Sequence, residues 1–201
     1  MGVSVWSGQT VEVETTAVKA VVYDLPSENQ RVLADPEVKR KVRSVRVWSI
    51  TLLHRLGVAC TESVVLVPPS RAERIEATVN RVLQLYRDLE DWVTERGIRV
   101  ELEPIIRVLS LSNNQARELL PIAERRLLET IDNAIDRVSR VLDEIREITD
   151  ENRRRRVRYG LNRLSREIDR LYEVARELGI DITRDYEYLV QLIDQAINET
   201  V

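Results

Sequence analysis

From Pro121 onward the aliphatic residues recur at alternating spacings of three and four. Leu128, Ile131, Ile135, Val138, Leu142 and Ile145 form one seam; Val157, Leu161, Leu164, Ile168, Leu171, Ala175 and Leu178 form a second. A stripe with that rhythm stays on one face of an α-helix, as in a coiled coil. Extending the first seam would put Thr149, Asn152 and Arg156 into the interior. Those side chains are polar, so the phase breaks near Asp150 to Asn152. The break predicts either a tight helical hairpin or a local disruption of one very long helix. Gly179 ends the second helix, and Thr183 to Asn198 predicts a last one with Tyr186, Val190, Ile193 and Ile197 inward. Such seams need facing partners. Short loops favour antiparallel neighbours in an intramolecular bundle; a self-associating coiled coil is the alternative.

The first half has a different rhythm. Val11, Val13 and Thr15 alternate with Glu12 and Glu14, the period of a half-buried strand, and Ala17 to Tyr23 is a second β-prone run. Asp24 to Asn29 is a loop by composition. Asp35-Pro36-Glu37 then starts a helix, with a capping side chain, proline at the first helical position and an acid facing the dipole. Its stripe is Val38, Val42, Val45, Trp48, Leu52 and Leu56, and Gly57 ends it. Ser63 to Val67, stopped by Pro68-Pro69, is a buried strand. Ser70 and Glu73 form a capping box ahead of Ile75, Val79, Val82, Tyr86, Leu89 and Val93, a seam closed by Gly97. Ile98, Val100 and Leu102 alternate with charged residues and predict a strand up to Pro104. The expected fold is α+β and predominantly helical. A small α+β domain over residues 1–111 precedes a helical bundle over 112–201 with coiled-coil-like seams and a long antiparallel hairpin.

Composition narrows the setting. The chain has 201 residues, 43% of them hydrophobic and 32% charged, so it has enough apolar material for a sizeable core. A net charge of -3 gives no overall attraction to nucleic acid or anionic lipid. No apolar run approaches the ~20 residues of a membrane span. Met1 to Trp6 lacks the pattern of a secretory signal. Cys60 is the sole cysteine, which removes an intrachain disulfide and paired-cysteine zinc sites. A cytoplasmic protein without membrane contact is the expectation. Apart from Lys19, Lys39 and Lys41, every basic residue is arginine, and dense Arg/Glu patterning is expected of a thermophile. A GC-rich genome would bias the composition in the same direction.

Enzyme chemistry lacks parts. His54, the only histidine, has no neighbouring nucleophile and acid arranged as a relay, and a histidine near a helix C-terminus is favourable there for its charge. Cys60 sits among small and apolar residues as a packing cysteine. Acid pairs such as Glu90-Asp91, Asp143-Glu144 and Asp150-Glu151 suit solvated faces and pairing with arginine. There is no Glu-x-x-His pair and no glycine-rich phosphate loop. No catalytic residue, cofactor or metal site is expected.

Two basic stretches remain. Residues 35–57 hold Lys39, Arg40, Lys41, Arg43, Arg46 and Arg55 against Asp35 and Glu37. Residues 150–166 hold Arg153, Arg154, Arg155, Arg156, Arg158, Arg163 and Arg166 against Asp150 and Glu151. Arg156, Arg163 and Arg170 recur every seven residues as a track for phosphate. The preceding acids, Asp143, Glu144, Glu147, Asp150 and Glu151, could instead neutralise the run across a hairpin. Trp48 and Trp92 lie on apolar helix faces and are assigned to the core. Trp6 near the N-terminus is a candidate partner anchor.

Val5-Trp6-Ser7, Leu52-Leu53-His54-Arg55-Leu56-Gly57-Val58, Val67-Pro68, Arg71-Ala72, Ile75 and Tyr86 carry a resemblance. Over residues 3–96 the chain resembles uncharacterised phage- and mobile-element-associated proteins often encoded beside MoxR-type AAA+ ATPases. The resemblance implies a mobile-element or viral origin, or an accessory to an ATPase, and transfers no functional residue. The combined expectation is a non-enzymatic structural or assembly protein that contacts itself or a larger machine through helices. The alternative is a nucleic-acid-associated factor using Arg153, Arg154, Arg155, Arg156, Arg163 and Arg170.

Overall fold

The computed structural model describes residues 3–5, 17–27, 35–145 and 147–200. A small N-terminal β-sheet region is followed by a predominantly helical C-terminal region. By contact the chain forms two compact units, Met1–Leu119 and Leu120–Val201. The strand expected around Val11, Val13 and Thr15 lies outside the described residues.

The first unit contains β1 (Val3–Val5), β2 (Lys19–Asp24), α1 (Pro36–His54), β3 (Val58–Thr61), β4 (Val64–Val67), α2 (Arg74–Thr94) and β5 (Ile105–Ser110). The strands form one sheet in the order β1-β5-β2-β4-β3, and every pairing is antiparallel. Because β4 and β5 both run against β2, they are parallel to one another, and β2 is likewise parallel to β3. Two βαβ units, β2-α1-β3 and β4-α2-β5, therefore interleave. This is the split βαββαβ connectivity of ferredoxin-like domains, with β1 added outside β5. Val21, Tyr23, Val65, Val67, Ile106 and Val108 join Val38, Val42, Leu53 and the α2 stripe in one hydrophobic cluster. Removing this apolar surface from water is the main force holding sheet to helices.

Asp35 caps α1 as expected, its Oδ1 accepting from the N–H groups of Glu37 at 2.7 Å and Val38 at 3.3 Å. Ile75, Val79, Val82, Tyr86, Leu89 and Val93 are all buried along α2. The expected capping box does not start that helix. Residues Pro69–Arg71 form a 3-10 turn, and Glu73 occupies the cap position with helical dihedrals and no side-chain cap bond. The two prolines pre-set the chain for that turn, so α2 grows out of it. Trp48 is 58% exposed, which overturns its assignment to the core. Both Trp48 and Ser49 could extend the stripe from Val45; the phase of Leu53 and Leu56 selects Ser49, which is fully buried. Trp92 is half-buried and packed against the core, with the Arg96 guanidinium 3.5 Å and the Lys41 ammonium 5.9 Å from its ring centroid.

The strand expected before Pro104 is also corrected. Residues 98–104 form no ladder, although Leu102 fills the core, and β5 begins after the proline. Alternation reported a buried face rather than pairing, and proline has no N–H to give a ladder. Gly57 does not end α1 through a left-handed turn. A Cβ there would run into the Leu66 carbonyl, so the glycine is demanded by the close passage of β4. Gly97 and Gly179, both at φ 74°, are the left-handed helix stops, each followed by a bond from the next N–H to the carbonyl five residues back.

The remaining helices are α3 (Asn113–Ile145), α4 (Glu151–Glu177) and α5 (Thr183–Asn198). A capping box does open α3: Ser112 Oγ accepts from Gln115 N–H, and Gln115 Oε1 accepts from Ser112 N–H at 2.9 Å. The helix thus starts ahead of Pro121 and carries it inside its N-terminal part. In the second unit α3 buries Ala123, Leu127, Ile131, Ala134, Val138 and Ile145, whereas Leu128, Ile135 and Leu142 are half-buried. Helix ends on either side of residues 146–150 realise the phase break, and Asp150 caps α4 by accepting from Asn152 and Arg153. α4 buries Leu161, Ile168, Val174 and Ala175. α5 buries Leu189, Ile193 and Ala196, a face rotated from the expected one, so that Tyr186 is half-buried. Tyr186 stacks on Tyr172 at 4.1 Å and donates to Asp169 at 2.9 Å. Tyr172 also reaches Thr183, so numbers fall along α4 as they rise along α5, an antiparallel pair.

Candidate functional site

The lone histidine is held inside the first unit. His54 Nε2 lies 2.8 Å from the Tyr23 hydroxyl, and burial pushes that phenol up to about 12, with Arg46 opposing and Glu62 reinforcing the shift. A phenol raised that far keeps its proton at neutral pH. Tyr86 Oη donates to the Pro26 carbonyl at 3.4 Å and is also raised by burial. Arg46 faces both phenols; its Nε and the Ser49 Oγ are buried without a hydrogen-bond partner. The arrangement is a packed polar seam between sheet and helix. Cys60 is 1% exposed, and burial pushes its thiol up to about 11, so it is protonated at neutral pH. Among the described residues no three metal-ligating side chains come together.

Many RNA-binding βαββαβ domains stack bases on aromatics of the sheet. Here the central strands carry Ala20, Val22, Val64 and Leu66 on the face away from α1 and α2, all aliphatic and buried or half-buried. Tyr23 faces the helices instead. The sheet is not a base-stacking platform.

The arginines singled out in the sequence lie on α4. Arg153, Arg155, Arg156 and Arg163 are exposed, whereas Arg154 is half-buried and its Nε donates to the Ile148 carbonyl at 2.8 Å. Arg170 is half-buried and engaged, so the heptad track loses its third member to the protein itself. Among the described residues no acid pairs with Arg153, Arg155, Arg156 or Arg163. The neutralisation expected from Asp143 to Glu151 is absent there: Asp143 and Glu144 are exposed, and Asp150 is occupied as the α4 cap. One residue escaped the sequence reading. Tyr159, 68% exposed, stands on the same outer face. Its signal was available, since it lies opposite the Leu161 and Ile168 stripe. Trp6 lies outside the described residues.

Other large apolar side chains reach solvent. Trp48 at 58% and Val47 at 56% lie on α1, Ile122 at 41% on α3, and Tyr188 at 51% on α5. Between α1 and α2 runs a groove of about 550 Å³ lined by Leu52, Glu73, Arg74, Ala77, Thr78 and Arg81. Among the described residues no helix is long and apolar enough to cross a membrane. No protein-family model, curated protein or solved structure matches the chain.

Proposed function

We propose that this is a non-enzymatic assembly or scaffold protein that works through exposed helical faces. The observation that carries the reading is Trp48, a 58% exposed tryptophan on a helix whose other face fills the core. Exposed tryptophan and tyrosine are the side chains most often found as anchors of protein interfaces. The partner is a second copy of the chain or a larger assembly in the cytoplasm. The resemblance over residues 3–96 makes an AAA+ ATPase from a mobile element or thermophile the machine to try first. Sedimentation over an approximately hundred-fold concentration range tests self-association, which Trp48→Ala and Tyr188→Ala should weaken. A single-chain mass throughout, with no ATPase bound, contradicts the reading.

A second reading is favoured by the unpaired arginines of α4. Arg153, in the first turn of α4, opposes the positive end of the helix dipole and so costs stability rather than adding to it. Arg155, Arg156 and Arg163 further along are exposed as well, and such a run of solvent-facing cations suits an external polyanion. On this reading the protein is associated with nucleic acid.

A further inference from the structure

Between Asn152 and Arg166 the chain holds seven arginines and no acid. Arg155, Tyr159, Arg163 and Arg166 stand at i, i+4, i+8 and i+11, a single stripe on a helix, with Arg156 beside it. The buried Leu161 and Ile168 lie on the opposite side. The stripe is therefore an outward face, with an exposed aromatic ring between cations one turn away on either side. From Arg155 to Arg166 it runs roughly 16 Å.

We propose that this face binds single-stranded nucleic acid, with Tyr159 stacking on a base and Arg155, Arg156, Arg163 and Arg166 lying along the phosphates. The inference rests on the polyanion reading above and names its ligand. Two features select the ligand. An aromatic ring can stack only on a base free of its neighbours, which single strands offer and duplexes do not. A membrane-surface helix must present an apolar face, and the apolar face of α4 is already buried. An acidic protein surface, which could also use an anchoring tyrosine among arginines, is the rival that polyglutamate tests below. The site is the side-chain face and not the helix end, whose first N–H groups are taken by Asp150.

The test is fluorescence anisotropy of the full chain with a labelled single strand of about 12 mixed nucleotides, against a duplex of the same length. Salt is varied between about 50 and 200 mM. With about four phosphate contacts the log–log salt slope should lie near −2.8, and Arg155→Gln with Arg156→Gln should reduce it by about 1.4. Tyr159→Ala should weaken single-strand binding roughly ten-fold with the slope unchanged, and Tyr159→Trp should keep it. Tyr159 is exposed, so these variants leave the fold intact, which circular dichroism checks. If duplex binds as well as single strand, and Tyr159→Ala changes nothing while the arginine-dependent slope persists, the stacking inference falls and the polyanion reading stands. Equal binding of polyglutamate or anionic vesicles, insensitive to Tyr159, overturns nucleic acid as the ligand. No binding of any polyanion overturns both.

Discussion

Two helices in this chain are dense in arginine and lysine, and they use that charge in opposite ways. On α1, Lys41 lies over the Trp92 ring, Arg43 is engaged, and Arg46 pushes its Nε into the interior beside two buried phenols. On α4, Arg153, Arg155, Arg156 and Arg163 stand in solvent and form no ion pair among the described residues. In sequence the two stretches look alike. What separates them is the angle each cation makes with the buried stripe: Arg46 sits at the stripe's edge, whereas Arg155 and Arg163 sit behind theirs. Charge at the edge is drawn into packing; charge at the back is left for a partner.

The contrast can be broken most sharply at Arg46. Arg46→Glu places a carboxylate beside Tyr23 and Tyr86 where part of a guanidinium was buried. It should cost about 2–3 kcal/mol in urea unfolding, because an unpaired charge is left partly desolvated. A cost within error of zero would mean that the α1 charge is as free as that of α4. Next in size is Asp150→Ala, which removes the cap and leaves the arginines facing bare N–H groups. A loss of about 1 kcal/mol of stability is expected, and chloride or phosphate should recover part of it.

Ser49→Ala works in the other direction. The hydroxyl is buried without a partner, so its removal should stabilise the first unit by up to about 1 kcal/mol. A loss of similar size would show the hydroxyl to be satisfied. The smallest effect is a pH dependence. Tyr23 ionises in the unfolded chain near 10 but in the folded one only at about 12, so the folded state holds the proton more tightly. Its stabilisation is complete below pH 10 and is lost as pH rises through 12. Thermal melts from about pH 9 to 11.5 should therefore fall, and fall less in Tyr23→Phe. Equal slopes in the two proteins would contradict the burial of that phenol.

Much of the fold was legible where one local signal met one strong stripe. Asp35-Pro36 marked the start of α1, the six aliphatic and aromatic positions of α2 were its buried face, and Thr183 to Asn198 bounded α5. Failures came where two residues competed for one role. Trp48 is more hydrophobic than Ser49, yet helical phase decides burial, and phase depends on Leu53 and Leu56 further on. Leu102 alternates like a strand residue, yet pairing depends on which backbone lies alongside, a long-range fact. β3 is only four residues long and left too little pattern to notice. The interleaved βαβ topology follows from pairings over long sequence distances that no local rhythm encodes. At the candidate site the arginine run was plain in the sequence. Tyr159 is marked only by its helical phase, opposite Leu161 and Ile168, since a lone aromatic residue among cations has no spacing pattern of its own.

The account depends most on the α4 arginines serving something outside the fold, and thermal unfolding of Arg153→Glu with Arg156→Glu tests this directly. Acids at a helix N-terminus are favourable, so the melting temperature should stay within about 2 °C of wild type or rise. A fall of about 5 °C or more would mean that these side chains hold the helices together, and the surface proposed for a partner would belong to the protein itself.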